Sequence, residues 1–427
     1  MATRFLYVCL DGVGDDPIPE LDGRTPLEAA ETPFLDALAA RGRTGTTVTV
    51  GPGIAPESDT GVFGILGYDP HEEHPGRGIL EAMGIGMDVR DGDLAYRVNF
   101  ATCEWPRIVD RRVGRTLSTE DAHALAAEVN EAMHLPGAGV DLRATIEHRG
   151  ALVIRADEPL SGNVSNTDPA YRRQGHLGVA LETFEPVVAE ALALEDSDAA
   201  RRGAALTNAF VEGAVKILDA SRVNERRREQ GLLAANLVLT RDGGDRLPRL
   251  QPIEERFGMR WGCFVEMPVE RGISIALAME PVIAPRLDPA GFGPQAEASY
   301  ASWAHLAADA LAVFDALYVH LKGPDVPAHD GRALDKRDVI TAIDRAFFGE
   351  VLARTDLSRT VIAVTGDHCT SCVRMAHTAD PVPLLVAGGP VTPDGSEVFG
   401  ERACGTGSLG ELLGPAILPT IAALTRP

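Results

Sequence analysis

The sequence predicts an α/β fold built on a largely parallel sheet. Three apolar runs have the length of buried strands, and each is followed closely by an aspartate. The runs are Phe5–Leu10 before Asp11, Ala316–Leu321 before Asp325, and Thr360–Thr365 before Asp367. Ligands of open α/β sheets bind outside the carboxyl ends of the strands, so the three ends are expected to converge on one site. Aspartate oxygens and the histidine nitrogens beside them favour a divalent metal there.

The segment after the first strand predicts a helix and then a specialised loop. The helix is expected over residues 26–41, because acidic residues suit its N-terminal end and Gly42 suits its stop. The glycine- and proline-rich stretch 51–61 follows. Glycine and proline fix unusual backbone conformations, as the loops that present nucleophiles require, and this loop carries Ser58.

The middle of the chain predicts an inserted domain. Two helical stretches, 119–133 and 184–228, flank the loop-rich segment 159–178. A strand over 235–240 is expected to resume the core, followed by helices over 299–314 and 335–354 beside the second and third acidic strands. The predicted organisation is a discontinuous metal-binding core, 1–85 and 232–427, with a smaller α/β substrate-binding domain, 86–231, inserted into it.

Composition excludes several classes of partner. The 427 residues carry a formal net charge of −22, and such a field repels nucleic acids and anionic membranes. No stretch approaches a membrane span, and the apolar start of the chain is too short for a signal peptide. Six scattered cysteines form no disulfide framework, which predicts a cytoplasmic protein. Cys369 and Cys372 are interpreted as a chance Cys-x-x-Cys pair.

The spacing of the candidate ligands supports a site for two metals. Asp325 and His329 are four residues apart, so either a helical turn or a tight loop at Pro327 brings them onto one ion. Seven donors are available, and a serine oxygen among them can bridge two ions. The donors are Asp11, Ser58, Asp325, His329, Asp367, His368 and His377.

Several ordered motifs resemble one known family. The chain is similar to the archaeal-type, cofactor-independent (2,3-bisphosphoglycerate-independent) phosphoglycerate mutases of the alkaline phosphatase superfamily, and the similarity spans nearly its whole length. The motifs that carry it are Ile54–Gly61, Ile65–Pro70, Gly76–Gly86, Arg97–Thr102, His320–Gly331, and Thr365–His368 with His377–Pro383. The resemblance implies an alkaline-phosphatase-like core sheet with helices on both faces.

The resemblance also implies a mechanism and a ligand assignment. Ser58 would be the nucleophile, phosphorylated and released in turn. One metal would be held by Asp11, Ser58, Asp367 and His368, and the other by Asp325, His329 and His377. The ions would be Mn²⁺ or Zn²⁺, with Co²⁺ or Mg²⁺ as alternatives, and no 2,3-bisphosphoglycerate would be needed. Metal coordination is a recognised way to activate a serine hydroxyl.

Departures from the family pattern concern the substrate residues. Asn166 stands where the family carries an aspartate able to bind or deprotonate the substrate hydroxyl, and an amide cannot act as a base. Arg271 replaces a family lysine, and the stretch 401–414 keeps only Arg402 of the usual basic residues. Arg241 is a candidate clamp for phosphate or carboxylate. The substrate-binding candidates are Asn166, Asp168, Arg241, Arg271 and His176.

The leading expectation is an isomerase of glycolysis that interconverts 3- and 2-phosphoglycerate through a phosphoserine. The alternative is a phosphatase or phosphotransferase of the same superfamily acting on another small phosphorylated metabolite, which the departures favour. A non-catalytic metal-binding protein is disfavoured because a scaffold has no need of all seven donors. The sequence predicts no particular oligomeric state.

Overall fold

The computed structural model of the protein describes residues 4–175, 177–181, 183–288 and 290–424. Its strands are β1 Arg4–Leu10, β2 Gly42–Val48, β3 Leu94–Glu104, β4 Arg107–Asp110, β5 Ala138–Ala144, β6 Arg149–Ala156, β7 Tyr171–Gln174, β8 Leu177–Ala180, β9 Leu237–Gly244, β10 Trp261–Val265, β11 Glu280–Ile283, β12 Ala316–Leu321, β13 Thr360–Thr365, β14 Cys369–Ser371, β15 Ala376–Thr378, β16 Val382–Gly388 and β17 Glu411–Leu413.

The helices are equally varied in length. They are α1 Pro26–Ala29, α2 Pro33–Ala39, α3 Ser58–Ile65, α4 Arg77–Gly84, α5 Thr119–Ala132, α6 Asp198–Asp219, α7 Arg222–Glu229, α8 Ile253–Phe257, α9 Pro268–Ala276, α10 Pro294–Ala310, α11 Asp325–His329, α12 Ala333–Ile343, α13 Gly349–Arg354, α14 Glu401–Cys404 and α15 Ile417–Leu424. A π-helical turn, Asp344–Phe348, joins α12 to α13.

The chain divides into two compact units. The first unit consists of Met1–Glu73, Leu250–Glu266 and Leu277–Pro427, and the second of His74–Arg249 and Met267–Ala276. The sequence placed the boundaries at 85/86 and 231/232. The difference arises because α4 packs on β3 and on α9, and because β9 pairs with β3, so that these elements join the second unit.

The first unit is organised around an eight-stranded sheet. Its strand order is β11-β10-β12-β1-β13-β16-β2-β17. The three predicted acidic strands are neighbours in this sheet: β1 pairs in parallel with β12 on one side and with β13 on the other. All residues of β12 and β13 are buried, as the continuous apolar runs predicted. Their carboxyl ends therefore meet at one edge of the sheet.

Buried polar contacts fix the helices beside this sheet. The predicted helix over 26–41 is divided in two: α1 ends at Ala29, because Ala30 is extended, and α2 begins at Pro33. The amides of Phe34 and Leu35 at the start of α2 donate to the carboxylate of Asp344 at 3.1 and 2.8 Å. Burial raises the pKa of Asp344 to about 6, although these two hydrogen bonds oppose the shift.

The second unit contains a separate sheet. Strands β4, β3, β6 and β5 lie in that order, with β9 paired to β3 on its other edge. A strand near 235–240 was expected to resume the core. That expectation was wrong, because this strand is β9, which pairs with β3 and completes the second sheet. The helix over 119–133 is confirmed as α5, whereas the predicted helix over 184–228 begins only at α6 and breaks before α7.

Within the part of the chain that the structure describes, no helix combines the length and apolar character needed to cross a membrane.

Candidate metal centre

The predicted ligands lie at the edge of the sheet in the first unit where β12, β1 and β13 end. Asp11 directly follows β1, and Asp367 and His368 follow β13. Asp325 begins α11, so the segment Asp325–His329 is helical, and the tight-loop alternative was wrong. His377 lies on β15, which returns antiparallel to β14 from the loop after β13. The parallel arrangement of the three strands thus brings six predicted donors from three distant parts of the chain together.

Ser58 reaches this centre as the first residue of α3. Its Oγ lies 3.2 Å from Nε2 of His368. The helix approaches closely because Gly61 has no side chain: a Cβ at this position would lie 2.3 Å from the carbonyl oxygen of Asp367. The N-terminal end of an α-helix carries a partial positive charge, so a group attached to Ser58 would sit in a field that favours anions.

The first ligand set consists of Asp11, Ser58, Asp367 and His368. Nε2 of His368 lies 3.6 Å from Oδ1 of Asp11 and 3.3 Å from Oδ2 of Asp367. Both of these carboxylate oxygens are buried, and neither accepts a hydrogen bond of ordinary geometry from a described residue, although Nε2 of His320 lies 3.4 Å from Oδ2 of Asp367. A buried carboxylate oxygen without a hydrogen bond is costly unless a cation meets it. The first set therefore fits a divalent ion.

The electrostatics of the two carboxylates differ. Burial raises the pKa of Asp11, and the ammonium of Lys322 only partly offsets this effect. Burial acts in the same direction on Asp367, but the imidazoles of His368 and His320 outweigh it and lower its pKa. Oδ1 of Asp367 also accepts hydrogen bonds from the amides of Gly12 and His368, each at 3.1 Å. Asp367 is thus held as an anion by its surroundings.

The second ligand set consists of Asp325, His329 and His377. Oδ1 of Asp325 lies 3.4 Å from Nε2 of His329 and 3.5 Å from Nε2 of His377. The two Nε2 atoms are 3.1 Å apart. Burial would lower the pKa of His377, but Asp325 and Glu57 raise it to about 10. The pKa of His329 is raised for a similar reason, since Asp325 outweighs its burial.

Main-chain carbonyls orient both imidazoles of the second set. Nδ1 of His329 lies 3.1 Å from the carbonyl oxygen of Met375, and Nδ1 of His377 lies 2.7 Å from that of Pro56. A carbonyl oxygen only accepts, so Nδ1 carries the proton in each ring and Nε2 points at Asp325. Metal-binding histidines are held in this way. The second set therefore also fits a divalent ion.

Three residues of this centre were missed from the sequence. Lys322 places its ammonium 3.2 Å from Oδ2 of Asp11. Lys336 is fully buried and donates to Asp15 and to the carbonyls of Gly14 and Thr370. A compositional signal was available, because only three of the 40 basic residues are lysines and two of them are these. Thr370 contacts two of the predicted ligands, Asp325 and His368.

The second unit holds a separate cluster of arginines around Asp168. Arg111 binds this carboxylate in bidentate fashion, at 2.9 Å through Nε and 2.6 Å through a terminal nitrogen. Arg241 approaches the same carboxylate at 3.3 Å, and its guanidinium lies 4.2 Å from the centre of the Tyr171 ring. Of the predicted substrate residues, Asp168 and Arg241 are therefore in direct contact.

The cluster carries an excess of positive charge. Burial, together with the neighbouring arginines Arg241 and Arg77, lowers the pKa of Arg97 to about 10, although Glu81 opposes the shift. Burial and the surrounding arginines, Arg149 first among them, lower the pKa of His148 to about 3. Crowded, partly buried guanidinium groups of this kind form a binding site for anions.

A left-handed turn adds two more arginines, Arg112 and Arg115, beside a cleft of about 470 Å³ in the same unit. The lining residues are Val109, Asp110, Arg111, Arg112, Gly114 and Arg115. Val113, Gly114 and Arg115 have φ of 54°, 60° and 55°, and Val113 is an outlier for a β-branched residue. The amides of Arg112 and Gly114 donate to Asp110, which holds the turn. The sequence Asp110-Arg-Arg-Val-Gly-Arg115, with its aspartate and glycine, is typical of a turn.

The remaining substrate candidates are placed differently. Asn166 is buried, and both ends of its amide bond the main chain: Oδ1 accepts from the amide of Asp242 at 3.1 Å and Nδ2 donates to the carbonyl of Tyr171 at 3.2 Å. Arg271 is exposed on α9, and no hydrogen bond or ion pair among the described residues joins its side chain to the cluster. His176 lies outside the described residues.

Comparison with known proteins identifies the family. A family model described as 2,3-bisphosphoglycerate-independent phosphoglycerate mutase matches residues 39–224. A curated protein with this description from Aeropyrum pernix is 42% identical over 419 residues, which cover 96% of this chain and 96% of that protein. Another from Thermococcus kodakarensis is 37% identical over 414 residues, covering 97% and 95%.

Two solved structures share the fold along the full chain. A Pyrococcus horikoshii protein, PH0037, has a TM-score of 0.80 and 31% identity, covering 100% of this chain and 98% of its own. The cofactor-independent phosphoglycerate mutase from Thermoplasma acidophilum has a TM-score of 0.65 and 31% identity, covering 99% and 100%.

Fold and relatives together define an α/β enzyme of the isomerase class, which confirms the expected α/β fold class. The chain belongs to the family of 2,3-bisphosphoglycerate-independent phosphoglycerate mutases.

Proposed function

We propose that the protein interconverts 3-phosphoglycerate and 2-phosphoglycerate by transferring the phosphoryl group to Ser58 and back, without 2,3-bisphosphoglycerate. The observation that carries this proposal is the position of Ser58. Its Oγ lies 3.2 Å from Nε2 of His368, at the N-terminal end of a helix and beside two buried carboxylate oxygens that accept no hydrogen bond of ordinary geometry from a described residue. A phosphorylated serine needs such positive surroundings.

Two divalent ions complete the proposed centre. Asp11, Ser58, Asp367 and His368 would hold one, and Asp325, His329 and His377 the other. The mixture of carboxylate and imidazole donors suits Mn²⁺ or Zn²⁺, with Co²⁺ and Mg²⁺ as alternatives. Bound ions of this kind lower the pKa of a coordinated hydroxyl and neutralise charge on phosphoryl oxygens.

The proposed transfer of the phosphoryl group has two steps. Ser58 Oγ attacks phosphorus, the bond from phosphorus to O3 of the glycerate breaks, and the proton lost by the serine ends on O3. Glycerate reorients, its O2 attacks the phosphoserine, and the proton of that hydroxyl returns to Ser58. Lys322, beside Asp11, is placed to donate to a phosphoryl oxygen during both transfers.

The second unit supplies recognition of anionic groups in this proposal. The guanidinium groups of Arg111 and Arg241 are fixed by Asp168 and by the ring of Tyr171, so they are oriented before a ligand arrives. Pre-ordered arginines suit a carboxylate or a phosphate because they bind both in bidentate fashion. We infer that anionic groups of the substrate are their ligands.

The test is an assay of purified protein with 3-phosphoglycerate, following 2-phosphoglycerate and free phosphate separately. Metal-depleted protein is compared with the same protein after addition of Mn²⁺, Zn²⁺, Co²⁺ or Mg²⁺. Isomerised product that appears only with metal supports the proposal. Free phosphate alone would instead favour a phosphatase, and full isomerisation in excess chelator would remove the metal ions from the mechanism.

A further inference from the structure

The hydroxyl of Thr370 joins the two ligand sets. Thr370 lies on β14, is completely buried, and pairs across the hairpin with His377. Its Oγ1 lies 2.7 Å from Oδ1 of Asp325, in the second set, and 3.0 Å from Nδ1 of His368, in the first. A single hydroxyl therefore contacts a proposed ligand of each metal.

The direction of these hydrogen bonds follows from the number of protons available. An ionised carboxylate only accepts, so the one hydroxyl proton of Thr370 must lie toward Asp325. The oxygen then presents a lone pair to Nδ1 of His368, and that nitrogen must carry a proton. The neutral ring of His368 consequently leaves Nε2 unprotonated and directed at Ser58, Asp11 and Asp367.

The hydroxyl of Thr370 orients the ring of His368, as main-chain carbonyls orient the rings of the other two histidines. His329 and His377 are held by the carbonyl oxygens of Met375 and Pro56, which no side-chain substitution removes. The orientation of His368 depends instead on one hydroxyl. Gly12, which has φ +62°, packs closely against this hydroxyl. A Cβ at Gly12 would lie 2.5 Å from Oγ1 of Thr370 and 3.0 Å from Oδ1 of Asp325, so the hydroxyl has little room to move.

We propose that Thr370 is a positioning residue that fixes the tautomer of His368 and the orientation of Asp325 together, so that both metal sites form in the arrangement that transfer requires. This inference rests on the proposed two-metal function. Removing a group that orients a metal ligand typically reduces metal affinity by about 10- to 100-fold. Because Thr370 contacts both sets, its removal is expected to weaken both sites.

The experiment compares Thr370→Val, which keeps the shape and loses the hydroxyl, with Thr370→Ser, which restores it. Thr47→Val is the matched control, because Thr47 is equally buried in the first unit but bonds only Thr365 and the carbonyl of Val382. The ring ¹⁵N signals of His368 are measured in metal-free protein at about pH 8, where an ordinary imidazole is neutral. Affinities for Mn²⁺ and Zn²⁺ are measured by titration calorimetry.

The expected result is a single Nδ1-protonated form of His368 in the wild type, in Thr370→Ser and in Thr47→Val. Thr370→Val is expected to populate both tautomers and to bind both ions about 10- to 100-fold more weakly. Unchanged ring signals and unchanged affinities in Thr370→Val, with wild type binding two ions, would overturn this inference alone. A wild-type protein that binds no divalent ion would overturn the proposed function and the inference with it.

Discussion

Replacing Lys336 by methionine tests whether the buried ion pair beneath the metal centre supports it. Lys336 and Asp15 have no exposed side-chain surface, and their charged atoms are 3.0 Å apart. The ammonium also donates to the carbonyls of Gly14 and Thr370, so all three of its protons are used. Methionine is similar in length but leaves the Asp15 carboxylate buried without its cation.

The expected cost is large because only one partner is removed. Breaking a buried pair in this way destabilises a protein by about 3–5 kcal/mol. For a unit of about 240 residues, each kcal/mol lowers the melting temperature by roughly 2–4 °C, so a decrease of about 6–20 °C is expected. The ammonium of Lys336 connects the loop after β1, through Gly14 and Asp15, to β14, through Thr370, so affinity for added metal should also fall.

The measurement is thermal unfolding of metal-free protein, with Lys216→Met as control because Lys216 is exposed on α6. Adding Asp15→Asn to Lys336→Met should recover part of the loss, because the unpaired charge is removed while the amides of Asp16 and Cys372 keep their acceptor. A melting temperature of Lys336→Met within about 3 °C of the wild type would show that the buried ion pair contributes little to stability.

Three further predictions follow from the same structure. Ser58→Ala should lower turnover of 3-phosphoglycerate by at least about 10³-fold, while the amount of bound metal, measured by elemental analysis, stays near that of the wild type. The control is Ser358→Ala, because Ser358 is exposed. Retained turnover in Ser58→Ala would remove Ser58 from the mechanism. Asn166→Asp should lower the free energy of unfolding by roughly 1–3 kcal/mol without raising turnover, because a carboxylate cannot donate to the carbonyl of Tyr171. Higher turnover in this variant would show that a base at position 166 contributes more to catalysis than this hydrogen bond does. Asp344→Asn should change the pH dependence of stability. The pKa of Asp344 is about 6 in the folded protein and near 3.8 in the unfolded chain. The wild type therefore loses stability from this group as pH rises from about 4 to 6, whereas the variant does not. The difference in free energy of unfolding between wild type and variant should therefore change by about 1–3 kcal/mol over that interval in urea titrations of metal-free protein, and a constant difference would show that the shift is absent.

The residues that meet at the candidate metal centre could largely be predicted from the sequence, because the end of a buried strand has a predictable position in the sheet. A buried parallel strand gives a continuous apolar run, and the residues just after it must lie at the edge where ligands bind. Asp11, Asp325, Asp367 and His368 are all found in that position. Ser58 was predicted from its motif and from the expected loop 51–61; the structure places it against His368 but as the first residue of α3, so the expected loop ends before it.

The parts that escaped prediction depend on contacts between distant residues. The strand β9 has a clear pattern, but nothing in that pattern states whether it pairs with the core or with β3. The role of Asn166 depends on two main-chain groups, at Asp242 and Tyr171, that only the folded chain brings to it. The proton assignments of His329 and His377 likewise depend on carbonyl oxygens that carry no sequence signal.

The most direct test of the phosphoserine mechanism is to quench the metal-loaded protein in acid during turnover of 3-phosphoglycerate and to locate any phosphoryl group by peptide mass spectrometry. This mechanism requires one phosphoryl group on the peptide that contains Ser58, formed and lost at rates that match turnover, and none on the same peptide of Ser58→Ala. Rapid interconversion of the two phosphoglycerates with no phosphorylated Ser58 at any time of quenching, or with the phosphoryl group on another residue, would contradict it.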